Sequence, residues 1–201
     1  MIKIENLSIS FDNKKVIDNL NLTIKKGEKI ILNSSSGSGK TSFLRVLQGF
    51  ILNYSGEIKI CNLNLNEKNI KEIRSNISYV SQRVELPQGK VKDILKMIFN
   101  YSVNRGIEVK ELEKKLQEFN LDKEILERDT KQISGGERQR IGFIISLYLN
   151  REIWLLDEIT ASLDFNMKKK VEEYILNSDK TIILVSHDEN WDLSKFKEVK
   201  W

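Results

Sequence analysis

Apolar and polar positions along this chain fall into two rhythms. Residues Ile2-Lys3-Ile4-Glu5-Asn6-Leu7-Ser8-Ile9 alternate, and Leu20-Asn21-Leu22-Thr23-Ile24 alternate again, the period of strands with one buried face. Between them Asp12-Asn13-Lys14-Lys15 reads as a turn, and Lys26-Gly27-Glu28 turns the chain a second time. The runs Lys29-Ile30-Ile31-Leu32, Ile153-Trp154-Leu155-Leu156 and Thr181-Ile182-Ile183-Leu184-Val185 do not alternate. Short continuous apolar runs are expected of strands buried on both faces. Gly56-Glu57-Ile58-Lys59-Ile60 and Ile77-Ser78-Tyr79-Val80-Ser81 are two further short strands. Helical spacing appears at residues 41–50, where Phe43, Leu44, Val46, Leu47 and Phe50 recur on one side, from about 86 to 126, and again at 166–176.

Strand, helix and strand repeating around apolar runs predict an α/β fold with a mainly parallel sheet. An antiparallel β part precedes it and a helical lobe interrupts it. The expected core is residues 1–83 and 150–201, with the helical lobe at about 84–149. Ligands of such sheets bind beyond the carboxyl ends of the strands. Polar residues stand just past four of those ends: residues 34–41, Gln82, Asp157-Glu158 and Ser186-His187.

Composition narrows the class. The chain has 201 residues, 40% hydrophobic and 31% charged, enough for one soluble domain with an inserted lobe. Net charge is 33 − 29 = +4, mild and spread along the chain, so no nucleic-acid partner is expected. The single cysteine, Cys61, excludes an internal disulfide framework and is read as structural. No signal-peptide pattern opens the chain, and its most apolar helical stretch, residues 141–149, is far short of the ~20 residues that span a bilayer.

The loop Ser34-Ser35-Ser36-Gly37-Ser38-Gly39-Lys40-Thr41, continued by Ser42, follows a buried strand and opens a helix. Small residues there let backbone N–H groups converge on phosphate oxygens, and a helix N-terminus adds a favourable dipole. This is a Walker A pattern in which Lys40 reaches the phosphates and the Thr41 hydroxyl takes Mg²⁺. Ser34 stands where glycine is usual. Asp157, at the end of an apolar strand, is a metal-holding carboxylate, and Glu158 beside it is a candidate general base. Acidic residues after strands also serve as turn formers, so that pair alone is ambiguous.

Ile133-Ser134-Gly135-Gly136-Glu137-Arg138-Gln139-Arg140 is the most specific segment. Here the chain resembles the ATP-binding cassette (ABC) family, whose signature Leu-Ser-Gly-Gly-Gln differs at the positions of Ile133 and Glu137. The resemblance covers nearly the whole chain and implies a P-loop ATPase. It implies that Ser134, Gly135, Gly136 and Glu137 face the ATP held by a second copy. It also implies that Phe11 stacks on adenine, that Gln82 contacts Mg²⁺ or the attacking water, and that Ser162-Leu163-Asp164 crosses a dimer interface. His187, the only histidine, would contact the γ-phosphate.

Family resemblance further implies a head-to-tail ATP-dependent homodimer, or a heterodimer of cassettes, and a separate transmembrane permease. The chain would then lie in the cytoplasm on the inner face of the membrane, with no appended regulatory domain. The run Leu156-Asp157-Glu158-Ile159-Thr160-Ala161-Ser162-Leu163-Asp164, with Ile159 where proline is common, is similar to small cassettes of the iron-export type. Two other classes stay open: a soluble mechanical ATPase acting on nucleic acid or ribosomes, and a nucleotide-gated scaffold, against which both Glu158 and His187 speak.

Overall fold

The computed structural model describes residues 1–11, 14–34, 37–101, 109–188 and 191–201. Asp12 and Asn13 of the expected first turn, and Ser35 and Ser36 of the expected phosphate loop, lie outside the described residues. The chain runs β1 (Ile2–Phe11), β2 (Lys14–Ile24), β3 (Lys29–Leu32), α1 (Lys40–Leu47), β4 (Ser55–Ile60), β5 (Leu63–Asn64), α2 (Ile70–Ser75) and β6 (Ile77–Val80). It continues with α3 (Val91–Phe99), α4 (Val109–Glu118), α5 (Gly135–Leu149), β7 (Ile153–Asp157), α6 (Phe165–Asn177), β8 (Thr181–Val185) and β9 (Lys197–Val199).

These strands form two sheets. One is antiparallel in the order β2-β1-β4-β5; the other is parallel in the order β6-β7-β8-β3-β9. The first is a hairpin-based sheet. Lys14 and Lys15 pair with Phe11 and Ser10, so β2 begins where a turn was expected and is twice the length of its alternating half. Alternation fades there because irregularities at Asn6 and Asn19, both with positive φ, shift the register.

The parallel sheet is buried on both sides, which is why its strands read as unbroken apolar runs. Trp154, Leu156, Ile182 and Leu184 face one apolar cluster, built with α3 to α6. Ile153, Leu155, Ile183 and Val185 face another, built with the antiparallel sheet and α1. The helical region expected at 86–126 divides into α3, α4 and a 3-10 turn at Lys123–Glu127. The helix expected at 41–50 ends at Leu47, because Gly49 adopts φ +67° and Arg74 supplies donors to the carbonyls of Gln48 and Gly49.

One glycine fixes how the antiparallel sheet closes. Gly56 has φ +96°, and a Cβ there would sit 2.5 Å from the carbonyl oxygens of both Glu5 and Asn6. Both contacts are backbone, so nothing can swing aside. Gly56→Ala should cost at least about 2 kcal/mol from backbone strain alone, a fall in melting temperature on the order of 5 °C for a chain of this size. Thermal denaturation followed by circular dichroism checks this.

Candidate functional site

The parallel ladder brings together the four loops singled out in the sequence. Strands β6, β7, β8 and β3 are consecutive neighbours in the sheet. Their paired ends include Val80 with Leu156, Asp157 with Val185, and Leu32 with Val185. The following residues therefore converge. A cavity of about 330 Å³ is bordered by Gly37, Gly39, Lys40, Thr41, Ser42, Gln82, Glu158 and His187, together with Val16 and Val185.

On one side of this cavity is the start of α1. Gly37 and Gly39 have φ of +77° and +92°, the conformation that lets a tight loop turn its N–H groups inward. Among the described residues no side chain caps α1, and the first N–H groups of a helix favour an anion. Ser34 does not share the positive φ, so serine at this position is unstrained. The Ser34 carbonyl accepts a hydrogen bond from Lys40 Nζ at 2.6 Å. The hydroxyls of Ser34 and Ser38 are buried and have no protein partner among the described residues. Lys40 is itself buried; loss of hydration pulls its ammonium below the usual lysine range, against the opposing pull of Glu158 and Asp157.

Two carboxylates stand beside these groups, Glu158 on the cavity and Asp157 bonded to Thr41. Asp157 Oδ2 accepts from the Thr41 hydroxyl at 3.0 Å and from the Tyr79 hydroxyl at 3.3 Å. Burial raises the Asp157 carboxyl above its ordinary value, and the two donors pull it back. Tyr79, on β6, is pushed well above the usual phenol range by burial and then by Asp157. Tyr79 was not singled out by sequence, because a tyrosine within an apolar strand carries no signal of what its hydroxyl meets.

Next along, Glu158 has φ +49°, an uncommon backbone for a glutamate. Its N–H donates to the Val185 carbonyl at 2.9 Å. Its Oε2 accepts from Gln82 Nε2 at 2.7 Å, and its Oε1 lies 3.7 Å from His187 Nε2. The loop carrying His187 is held from behind: Ser186 Oγ accepts from the Asp188 N–H and from the buried Trp191 indole.

Two sets of candidate residues lie away from this cavity. Phe11 ends β1, is 41% exposed and does not border the cavity; Val16 of β2 does. Ser134, Gly135, Gly136 and Glu137 begin α5, also off the cavity. There the Ser134 hydroxyl accepts from the Glu137 N–H and the Glu137 carboxylate accepts from the Ser134 N–H, a reciprocal cap. A Cβ at Gly136 would meet the Ser162 carbonyl at 2.9 Å, so this glycine is needed for packing within the chain. Gly135 is different: a Cβ there meets nothing within 4 Å. Asp164 serves as the N-cap of α6, accepting from the Met167 N–H.

A phosphate-bearing ligand fits these residues: a glycine-bearing loop at a helix N-terminus, two buried hydroxyls with no protein partner among the described residues, and one buried ammonium. Hard oxygen donors at Thr41 and Asp157 suit Mg²⁺. Among the described residues no three His, Cys, Asp or Glu side chains cluster as a metal cage. Mg²⁺ is ordinarily held by one or two carboxylates together with substrate phosphates, so it needs none.

Comparison with known proteins agrees. A family model described as ABC transporter matches residues 17–161. An energy-coupling factor transporter ATP-binding protein of Fusobacterium nucleatum subsp. nucleatum is 36% identical over 211 residues, spanning 99% of this chain and 77% of the relative. A transport/processing ATP-binding protein of Streptococcus pneumoniae serotype 4 is 31% identical over 180 residues, 87% of this chain but 25% of the relative's length. Among solved structures, a dimeric ATP-binding cassette in a post-hydrolysis state bound to ADP and Pi aligns with a TM-score of 0.84 at 26% identity, covering 100% of this chain and 94% of that one.

Asp157 carries a prediction about the site without ligand. Its folded-state carboxyl titrates above the unfolded one, so folding favours the protonated form. The stability tied to this group is full below the unfolded aspartate range and is lost as pH rises through the raised value. Asp157→Asn, which can still accept from Thr41 and Tyr79, should therefore melt higher than the wild type at neutral pH without nucleotide. The gain should shrink as pH is lowered. Calorimetric melting across pH 4–8 measures both.

Proposed function

The chain belongs to the ABC transporter family and is an ATPase cassette of it, and on that premise we propose how it works: two cassettes close head to tail on two ATP molecules and drive a separate transmembrane partner. The observation that carries this reading is the division of the candidate residues. Lys40, Thr41, Gln82, Glu158 and His187 surround one cavity, with Asp157 bonded to Thr41 beside it, whereas Ser134–Gly136 begin a helix elsewhere and leave Gly135 open to an outside contact. A site missing its anion-facing second wall is completed by another copy, with the N-terminal dipole of α5 aimed at the γ-phosphate.

Within each site the phosphates rest on the N–H groups of residues 37–42, joined on the same loop by Ser34, Ser35 and Ser36. Lys40 exchanges its bond to the Ser34 carbonyl for phosphate oxygens. Thr41 and Asp157, with Gln82 nearby, would hold Mg²⁺, which would neutralise phosphate charge. Glu158 takes a proton from the attacking water as general base. Gln82, bonded to one Glu158 oxygen, orients that carboxylate, while His187 holds the γ-phosphate side. Catalysis is then mostly positioning and charge stabilisation. Phe11 is the candidate for the adenine, a contact that needs the hairpin end to fold toward the nucleotide.

Residues 84–149 form the lobe that carries the signature segment, on a core of 1–83 and 150–201. A hollow of about 760 Å³ lies between them, lined by apolar Phe50, Ile51, Val84, Leu86 and Ile145 together with the charged Arg45, Arg83, Glu85 and Asp157, and by Gln82. Phe50 is 65% exposed there. This hollow suits an element of the transmembrane partner that carries both apolar and charged side chains, whose movement would reach Glu158 through Gln82. No helix among the described residues is long and apolar enough to cross a membrane, so placement at the inner membrane face comes from that partner. The names of the two relatives above give the iron-export resemblance no support, and the cargo is selected by the partner.

Glu158→Gln should lower ATP turnover at least about 100-fold, the scale of a lost general base, while ATP affinity stays within a few-fold and a dimer accumulates with ATP. Turnover assays, calorimetry and gel filtration with light scattering read the three effects. Near-normal turnover in this variant would remove Glu158 from the base role.

A further inference from the structure

Strand β9 pairs in parallel with β3 at Ile30–Lys197, Ile31–Glu198 and Leu32–Val199. This pairing continues into the phosphate loop. The Asn33 N–H donates to the Val199 carbonyl at 3.2 Å, and Asn33 Nδ2 donates to Glu198 Oε1 at 2.6 Å. Two residues beyond β9, the Trp201 indole N–H donates to the Ser38 carbonyl at 2.8 Å. The Trp201 ring lies against Phe43 of α1, with centroids 5.3 Å apart, and Phe43 is fully buried. The segment at 197–201 therefore touches the phosphate loop at both ends and the helix that follows it.

The bond to Ser38 fixes more than a distance. In a planar trans peptide the C=O and the following N–H point in opposite directions. Holding the Ser38 carbonyl on Trp201 therefore turns the Gly39 N–H the other way. Gly39 borders the cavity and Trp201 does not. Gly39 has φ +92° and carries no side chain to resist rotation of this peptide unit. A flipped unit would present a carbonyl oxygen to phosphate in place of a donor.

We propose that Trp201 is a positioning residue for ATP: it pins the Ser38–Gly39 peptide so that the loop keeps its donors toward the phosphates. The proposal rests on the reading of residues 34–42 as the phosphate loop. It also makes the Trp201 indole a reporter of nucleotide, because its hydrogen-bond acceptor belongs to the loop that would contact the ligand.

The test compares wild type, Trp201→Phe and Trp201→Ala. Phenylalanine keeps a ring against Phe43 and loses the donor. MgATP affinity by calorimetry should weaken about three- to tenfold in Trp201→Phe, the effect of one hydrogen bond. KM should rise accordingly, kcat should stay within twofold, and the melting temperature should stay near wild type. Trp201→Ala should lose affinity as well and melt lower. Wild-type tryptophan emission should shift on adding ATP, and the shift should be absent in Trp201→Phe, which retains Trp154 and Trp191. Trp201→Phe binding ATP as tightly as a competent wild type, or losing kcat with KM unchanged, would overturn the proposal. Failure of the wild type itself to bind MgATP is a different result, and it would overturn the phosphate-loop reading beneath this one.

Discussion

Everything in this molecule depends on the register of four parallel strands. β6, β7, β8 and β3 lie side by side, sealed on both faces by apolar clusters, so they can neither slide nor twist apart without exposing the core. Residues 116 and 76 positions apart in sequence are thereby held within hydrogen-bond reach: Thr41 with Asp157, and Gln82 with Glu158. The rigidity that holds polar groups in place for chemistry comes from hydrophobic burial beneath them. A one-residue slip of β7 would turn Asp157 away from Thr41 and bury a different side chain in its place.

That precision is accompanied by local instability. Asp157 is a buried carboxylate, Lys40 a buried ammonium, Glu158 a glutamate in a left-handed backbone conformation, and two serine hydroxyls are buried with no protein partner among the described residues. Each is unfavourable in the isolated chain. Taken together they describe a surface shaped for a charged ligand, and so a site that is more stable when occupied. Gly135 adds the same message at a distance, since its small size serves no contact inside the chain.

Much of this was legible in the sequence, for physical reasons that differ by element. Strands β3, β7 and β8 stood out because burial on both faces leaves no polar position. The loop at 34–42 and the start of α5 stood out because backbone approach to an anion demands small residues in a row. Strand β9 was missed: it is three residues long and mostly exposed, and only pairing with β3 makes it a strand. The two-residue β5 and the single-turn-scale α2 were missed for similar reasons. The roles of Tyr79 and Trp201 were invisible because an aromatic among apolar neighbours looks like core until its polar atom is seen to have a partner. Phe11 was placed by resemblance, and Val16 is the β2 residue that borders the cavity. The serine replacing glycine at 34 looked like a departure, but its backbone does not require glycine.

Completion of each site by a second copy can be tested most directly by mixing two inactive variants. Lys40→Ala spoils the phosphate loop, and Gly135→Asp, tolerated by the open space at that position, puts a carboxylate where α5 would meet phosphate. Each homodimer then has two defective sites. A mixed dimer has one site with both defects and one with neither. ATP hydrolysis in the mixture should rise well above that of either variant alone, toward the level of a dimer with one working site. No recovery on mixing, or wild-type turnover by Gly135→Asp alone, would contradict a site shared between two chains.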